Sequence, residues 1–120
     1  MLWKVVAAFG KMHRLFENKG PGPAPLSPAE AERRKGLAAG HVLMSFQVSP
    51  YSQKVRRAIR ELQIPIPIRD VLEDDTAWNE LMAGGKIDMV PCMRIEEGGK
   101  VRWMYESADI IAYLQKRVSA

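Results

Sequence analysis

Residues 41–120 predict an α/β domain, on three observations. Short apolar runs bounded by Gly, Pro and charged residues alternate with longer segments whose apolar residues recur at steps of three and four. Read in order, these runs give β-α-β-α-β-β-α, an alternation that calls for one sheet with helices packed on it. Upstream, Gly20-Pro21-Gly22-Pro23-Ala24-Pro25 can sustain neither a helix nor a strand ladder, so it separates the domain from an N-terminal arm.

The arm, residues 1–19, reads as a basic amphipathic helix. Leu2, Val5, Phe9, Met12 and Phe16 follow helical steps, with Lys4, Lys11, Arg14 and Asn18 on the other side. It is too short and too charged to span a bilayer, and it lacks a signal-peptide cleavage site. Two readings stay open: packing on a protein surface, or lying in a membrane interface through residues 1–16, with Trp3, Phe9 and Phe16 inserted. Residues 20–27 form the linker and 28–120 the domain. Ser27-Pro28 followed by Glu30 and Glu32 marks the cap, first proline and acidic first turn of a lead-in helix over residues 28–39, stopped by Gly40.

Within the domain, His41–Phe46 reads as the first strand and Gln53–Leu62 as the first helix, burying Val55, Ala58, Ile59 and Leu62. Pro65 to Val71 carries two prolines that would interrupt a central ladder, which places this strand at a sheet edge. Trp78–Ala83 forms a helix ended by Gly84-Gly85. Pro91–Ile95 and Val101–Tyr105 form a hairpin around Glu97-Gly98-Gly99, and Ser107–Arg117 closes the domain as a helix burying Ile110, Ile111 and Leu114.

Composition narrows function. With 120 residues, 47% of them apolar and 27% charged, the chain buries one core. Its lone cysteine, Cys92, excludes an intramolecular disulfide and a cysteine-based zinc site, in keeping with a reducing, cytoplasmic location. The net charge of +4 resides in residues 1–40, whereas residues 41–120 carry eleven basic and eleven acidic side chains. Without a basic stripe interleaved with aromatics, the domain has no nucleic-acid footprint. One cysteine and two distant histidines, His13 and His41, offer neither a compact metal-ligand set nor a Ser-His-Asp triad. Cys92, alternating with Met93 in a strand, reads as a small buried hydrophobe.

The chemistry concentrates at Ser49-Pro50-Tyr51-Ser52, between a strand and a helix. This turn resembles the C-P-Y-C turn of the glutaredoxins with a hydroxyl in place of each thiol. Val90-Pro91 resembles the cis-proline segment of the thioredoxin superfamily. The run Tyr105-Glu106-Ser107-Ala108-Asp109-Ile110-Ile111-Ala112-Tyr113-Leu114 is similar to the E-S-x-x-I-x-x-Y-L segment of glutathione transferase N-terminal domains. A bacterial group of glutaredoxin-family proteins with C-P-F-C-x-K-V-R-R, V-P-C-L-R-I and W-L-Y-E-S segments is also similar, against Ser49–Arg57, Val90–Ile95 and Trp103–Ser107 here. The resemblance implies a thioredoxin-like, glutaredoxin-type fold: a four-stranded mixed sheet flanked by three helices, with the N-terminal helical extension added.

It further implies glutathione as ligand or cosubstrate. Val90 would pair with the cysteinyl backbone beside Pro91, Tyr51 would line the thiol end, and Glu106 with Ser107 would take the γ-glutamyl group. Lys54, Arg56 and Lys86 are candidates for the glycyl carboxylate. A serine hydroxyl cannot form a disulfide, so the expected function is glutathione binding, or binding of a glutathionylated protein, without redox exchange. If the serines replace thiols of a parent, that parent is a glutathione-dependent thiol-disulfide oxidoreductase, with Ser49 at the nucleophile's position and Ser52 at the resolving one. Two alternatives remain: a transferase-like activity in which Ser49 stabilises the glutathione thiolate, and a non-catalytic interaction module. Serine-type transferases carry a further all-helical domain, which nothing after residue 114 resembles, so conjugation would need another subunit or a shallow surface site.

Overall fold

A computed structural model describes residues 22–120, and the expected arm over residues 1–19 lies outside them. Residues 22–27 form neither helix nor strand, and α1 (Pro28–Ala38) follows with Ser27 as its cap, the Ser27 hydroxyl accepting the Glu30 N–H at 3.2 Å. The remaining elements are β1 (His41–Ser45), α2 (Pro50–Leu62), β2 (Ile68–Asp70), α3 (Asp75–Glu80) running into a π-helical turn (Leu81–Gly85), β3 (Cys92–Glu97), β4 (Lys100–Met104) and α4 (Ser107–Ser119). The strands form one mixed sheet in the order β2-β1-β3-β4, with β1 parallel to β2 and the other pairs antiparallel. This is the thioredoxin-like α/β architecture expected from the sequence.

Strand alternation divides the core between two faces. Leu43, Met93 and Ile95 turn to one face, where Val55 and Ile59 of α2 and Ile110 and Leu114 of α4 cover them. Met44 and Cys92, their immediate neighbours in sequence, turn to the other, against Val71, Leu72, Ala77, Leu81 and the half-buried Trp78, Trp103 and Tyr105. Ile110 and Leu114 have 0% exposure. Each such side chain contributes about 1.5–3 kcal/mol, whereas an exposed ion pair such as Arg33–Glu30 contributes about 0.2–1 kcal/mol. Burial on both faces therefore dominates, and the charged residues mainly set the outer surface.

Several element boundaries differ from the sequence reading. Helix α2 begins three residues before Gln53, because Ser49 caps it and Pro50 supplies the preset first helical φ. β2 contracts to three residues at the sheet edge. Pro67 still accepts the Leu43 N–H through its carbonyl at 2.9 Å, but neither Pro65 nor Pro67 has a hydrogen to donate. Helix α3 starts at Asp75, ahead of Trp78, since the Asp74 carboxylate accepts the Ala77 N–H at 3.1 Å. Its last turn widens, the Lys86 N–H reaching the Leu81 carbonyl at 3.0 Å. There Gly84 and Gly85 let β4 approach: a Cβ would stand 2.5 Å from the Trp103 ring at Gly84 and 2.3 Å from the Tyr105 hydroxyl at Gly85. The hairpin turn is Gly98-Gly99, with φ of 58° and 76°, while Glu97 stays in β3 opposite Lys100.

Candidate functional site

Chain direction brings four segments to one end of the sheet. Asp70 ends β2 and the Ser49 turn follows β1, which is parallel to it. Val90-Pro91 precedes β3, and Glu106 follows β4, which is antiparallel to β3. The sheet order then fixes their lateral sequence: Asp70–Leu72, Ser49, Val90, Glu106–Ser107.

At the turn, Ser49 has extended backbone (φ −68°, ψ 122°) and caps α2. Its Oγ accepts the Ser52 N–H at 3.3 Å, and its carbonyl accepts the Gln53 N–H at 2.9 Å. Ser52 has 0% exposure, and its hydroxyl accepts the Phe46 N–H at 3.3 Å. The two serines thus occupy unlike environments: Ser49 is half-buried at the rim of the helix N-terminus, whereas Ser52 is sealed in the turn. Tyr51 is 60% exposed, with the Lys54 ammonium 5.6 Å from its ring centroid.

Arg56 is not on the exposed face where its candidacy for a ligand carboxylate requires it. It is buried, and its guanidinium donates to Ser45 Oγ, to the Phe46 carbonyl at 3.3 Å and to the Gln47 carbonyl at 2.8 Å. One full helical turn separates it from Ser52, the other polar residue α2 buries, so both point beneath the turn. Asp70 braces the same loop from the β2 side. Its carboxylate accepts the Gln47 N–H at 3.0 Å, the Leu72 N–H at 2.9 Å and the Glu73 N–H at 3.3 Å. Sequence reasoning assigned Asp70 no role; the available signal was an aspartate closing a strand, the residue type that takes up the N–H groups of a following turn.

The Val90–Pro91 peptide bond is cis, and Val90 is half-buried beside it. Beyond it, Glu106 holds a left-handed φ of 68° at the cap position of α4, and its side chain makes no capping bond. Its carbonyl accepts the Ile110 N–H at 3.0 Å. The first N–H groups of α4 are therefore not satisfied by the cap side chain, and they carry the positive end of the helix dipole. A non-glycine residue in this conformation costs of order 1–3 kcal/mol, a strain typical of ligand-holding positions.

A cavity of about 460 Å³ opens between Ser49, Pro50 and Val90 on one side and Val71, Leu72 and Trp78 on the other, with Phe46, Val48, Asp88 and Met89 completing it. Ser49 and Val90 meet there; Lys54, Arg56 and Lys86 are not part of its wall. Cys92 lies beneath Pro91 with 0% exposure, and burial pushes its thiol up to about 11. The Tyr105 hydroxyl beside it is likewise pushed up by burial, to about 12, and meets no partner with hydrogen-bond geometry. Neither group is poised for chemistry near neutral pH. Among the described residues no cluster of three or more His, Cys, Asp or Glu side chains is arranged to hold a metal ion, and no helix is long and apolar enough to cross a membrane.

Residues 43–120 match the family model described as glutathione S-transferase, N-terminal domain. No curated protein and no solved structure matches the chain.

Proposed function

The chain belongs to the glutathione S-transferase N-terminal domain family, and on that premise we propose that it binds glutathione, or the glutathione moiety of a modified protein, without thiol-disulfide exchange. The observation that carries this reading is the convergence of three complementary groups at one end of the sheet. The Val90 backbone precedes a cis-proline, a capped helix N-terminus presents Ser49, and a second helix N-terminus at Glu106–Ser107 has no side-chain cap. Glutathione has a matching set. Its cysteinyl amide pairs with Val90 in the manner of an added strand. Its γ-glutamyl carboxylate suits the α4 N–H groups and the Ser107 hydroxyl, and its ammonium suits the Glu106 carboxylate. Tyr51 flanks the thiol. With Ser49 and Ser52 at the positions of the glutaredoxin thiols, no disulfide can form in the turn.

One observation favours a second reading, thiolate activation for conjugation. The Ser49 hydroxyl accepts from Ser52 through a lone pair, which leaves its hydrogen for donation to a bound thiolate at a helix N-terminus. Both readings place the protein in a reducing compartment, the cytoplasm, and the basic amphipathic residues 1–16 suit a peripheral membrane contact.

An amide-shift NMR titration with reduced glutathione tests the site. Saturable shifts at Tyr51, Val90, Glu106 and Ser107, weakened in Ser107→Ala, are expected. Absence of shifts at millimolar glutathione in the folded protein overturns the reading and leaves an interaction module.

A further inference from the structure

The lateral order of the four segments determines where each end of a bound γ-glutamylcysteinyl compound goes. A ligand paired at Val90, with its γ-glutamyl group at Glu106 and Ser107, extends its carboxyl side the opposite way across Ser49, toward β2 and α3. In that direction lies the cavity of about 460 Å³ walled by Val71, Leu72 and Trp78. Among the described residues its only charged wall residue is Asp88, and no lysine, arginine or histidine contributes to it. A free glycyl carboxylate delivered there loses water against apolar side chains and meets a like charge instead of a cation. The three basic residues that the sequence offers for it are elsewhere: Arg56 is buried beneath the turn, Lys54 stands over Tyr51, and Lys86 does not line the cavity.

Resting on the glutathione-site reading of Val90 and Glu106, we propose that the preferred ligand is a γ-glutamylcysteinyl thiol whose carboxyl side ends in a neutral, apolar group, seated against Leu72 and Trp78, rather than glutathione with its free glycyl carboxylate. Asp88, exposed at the mouth, acts as the discriminating charge, repelling an anionic end while tolerating a neutral one. The cavity adds apolar contact that free glutathione leaves unfilled.

Titration calorimetry at low salt, comparing reduced glutathione with its glycyl monoethyl ester, reads the preference directly. The ester is expected to bind roughly tenfold tighter, about 1.4 kcal/mol. Asp88→Lys, a surface change that leaves the core intact, is expected to reverse the order by pairing with the free carboxylate. Equal or tighter binding of glutathione by the unaltered protein overturns the proposal while the glutathione reading stands. Binding of neither thiol removes both. S-hexylglutathione serves as the competing probe: if its affinity, and not the ester's, falls in Trp78→Ala, the cavity takes the sulfur substituent and the proposal fails.

Discussion

The backbone N–H of Ser52 donates to Ser49 Oγ at 3.3 Å, while the Ser52 hydroxyl accepts the Phe46 N–H at 3.3 Å with none of the residue exposed. One helical turn thereby creates two positions of opposite character from the same side chain. A thiol at 49 would sit at a helix N-terminus, where the dipole and free N–H groups favour the anion; a thiol at 52 would be held from solvent.

Ser49→Cys, made in a Cys92→Ala background, is expected to show a thiol pKa below the usual value of about 8.5 and rapid alkylation by iodoacetamide at pH 7. Ser52→Cys is expected to alkylate far more slowly at the same pH. Thiol-transferase activity in Ser49→Cys would support a dithiol parent. Alkylation of the Ser49→Cys variant no faster than that of an unfolded peptide would sink that descent and the dipole argument together.

Arg56 holds the loop between β1 and α2 through Ser45 Oγ and the Phe46 and Gln47 carbonyls. Arg56→Met keeps much of the apolar stem but removes all three of these bonds, leaving the Gln47 carbonyl with the Gln53 amide at 3.4 Å, at a cost of about 2–4 kcal/mol. Arg56→Lys is expected to recover only part, because one ammonium does not reproduce the planar fork. Urea unfolding checks both. An unchanged midpoint in Arg56→Met would show that Asp70, Ser52 and Gln53 fix the loop without it.

Burial pushes Cys92 up to about 11. Because the folded value lies above that of the unfolded thiol, the associated stability is complete below about pH 8.5 and is lost as pH rises through 11. The unfolding midpoint is therefore expected to fall between pH 9 and 11, less steeply in Cys92→Ala. Native protein should also resist a disulfide reagent at pH 8 and react fully in urea. Fast native labelling would show that Pro91 and Met93 do not seal the strand.

The architecture was legible because period-two and period-three-to-four patterns each point to one face. Leu43 beside Met44 and Cys92 beside Met93 are the residues that divide the two halves of the core. Boundaries were less legible where a single polar side chain decides them. Ser49 and Asp74 extend α2 and α3 toward their N-termini by capping, which apolar periodicity does not register. Motif order brought Ser49, Val90 and Glu106–Ser107 into view as candidates, but not the cavity between Ser49 and Trp78, which depends on three segments distant in sequence. The inward position of Arg56 was hidden for a related reason. On a helix rich in basic residues, charge alone does not say which cation turns inward, and only the carbonyls of Phe46 and Gln47 explain why this one does.

His41 supplies an acid-sensitive counterpart to Cys92. Its Nδ1 lies 2.8 Å from the Ala39 carbonyl, which can only accept, so Nδ1 carries the hydrogen. Nε2, 2.7 Å from the Tyr113 hydroxyl, is then the acceptor in the neutral ring. Protonation turns Nε2 into a donor and forces the Tyr113 hydroxyl hydrogen to reorient. Burial holds the imidazole below its ordinary value, aided by the Arg117 charge and opposed by the bond to Ala39 and by Glu97. With the folded value lowered, the linked stability is present above about pH 6.5 and is lost as pH falls through the folded value. The paired carboxylates Glu30 and Asp74, also lowered, lose their contributions only below about pH 4.5 and 3.8. Among the described residues, the interval from pH 6.5 to 5 therefore isolates His41. The urea midpoint is expected to drop across it, and His41→Phe should abolish most of that slope. Tyr113→Phe is expected to cost about 1 kcal/mol at pH 7.5, where Nε2 accepts from its hydroxyl, and no less once the ring is protonated, because Nε2–H then loses its acceptor. A slope that survives in His41→Phe would assign the acid sensitivity to carboxylates instead.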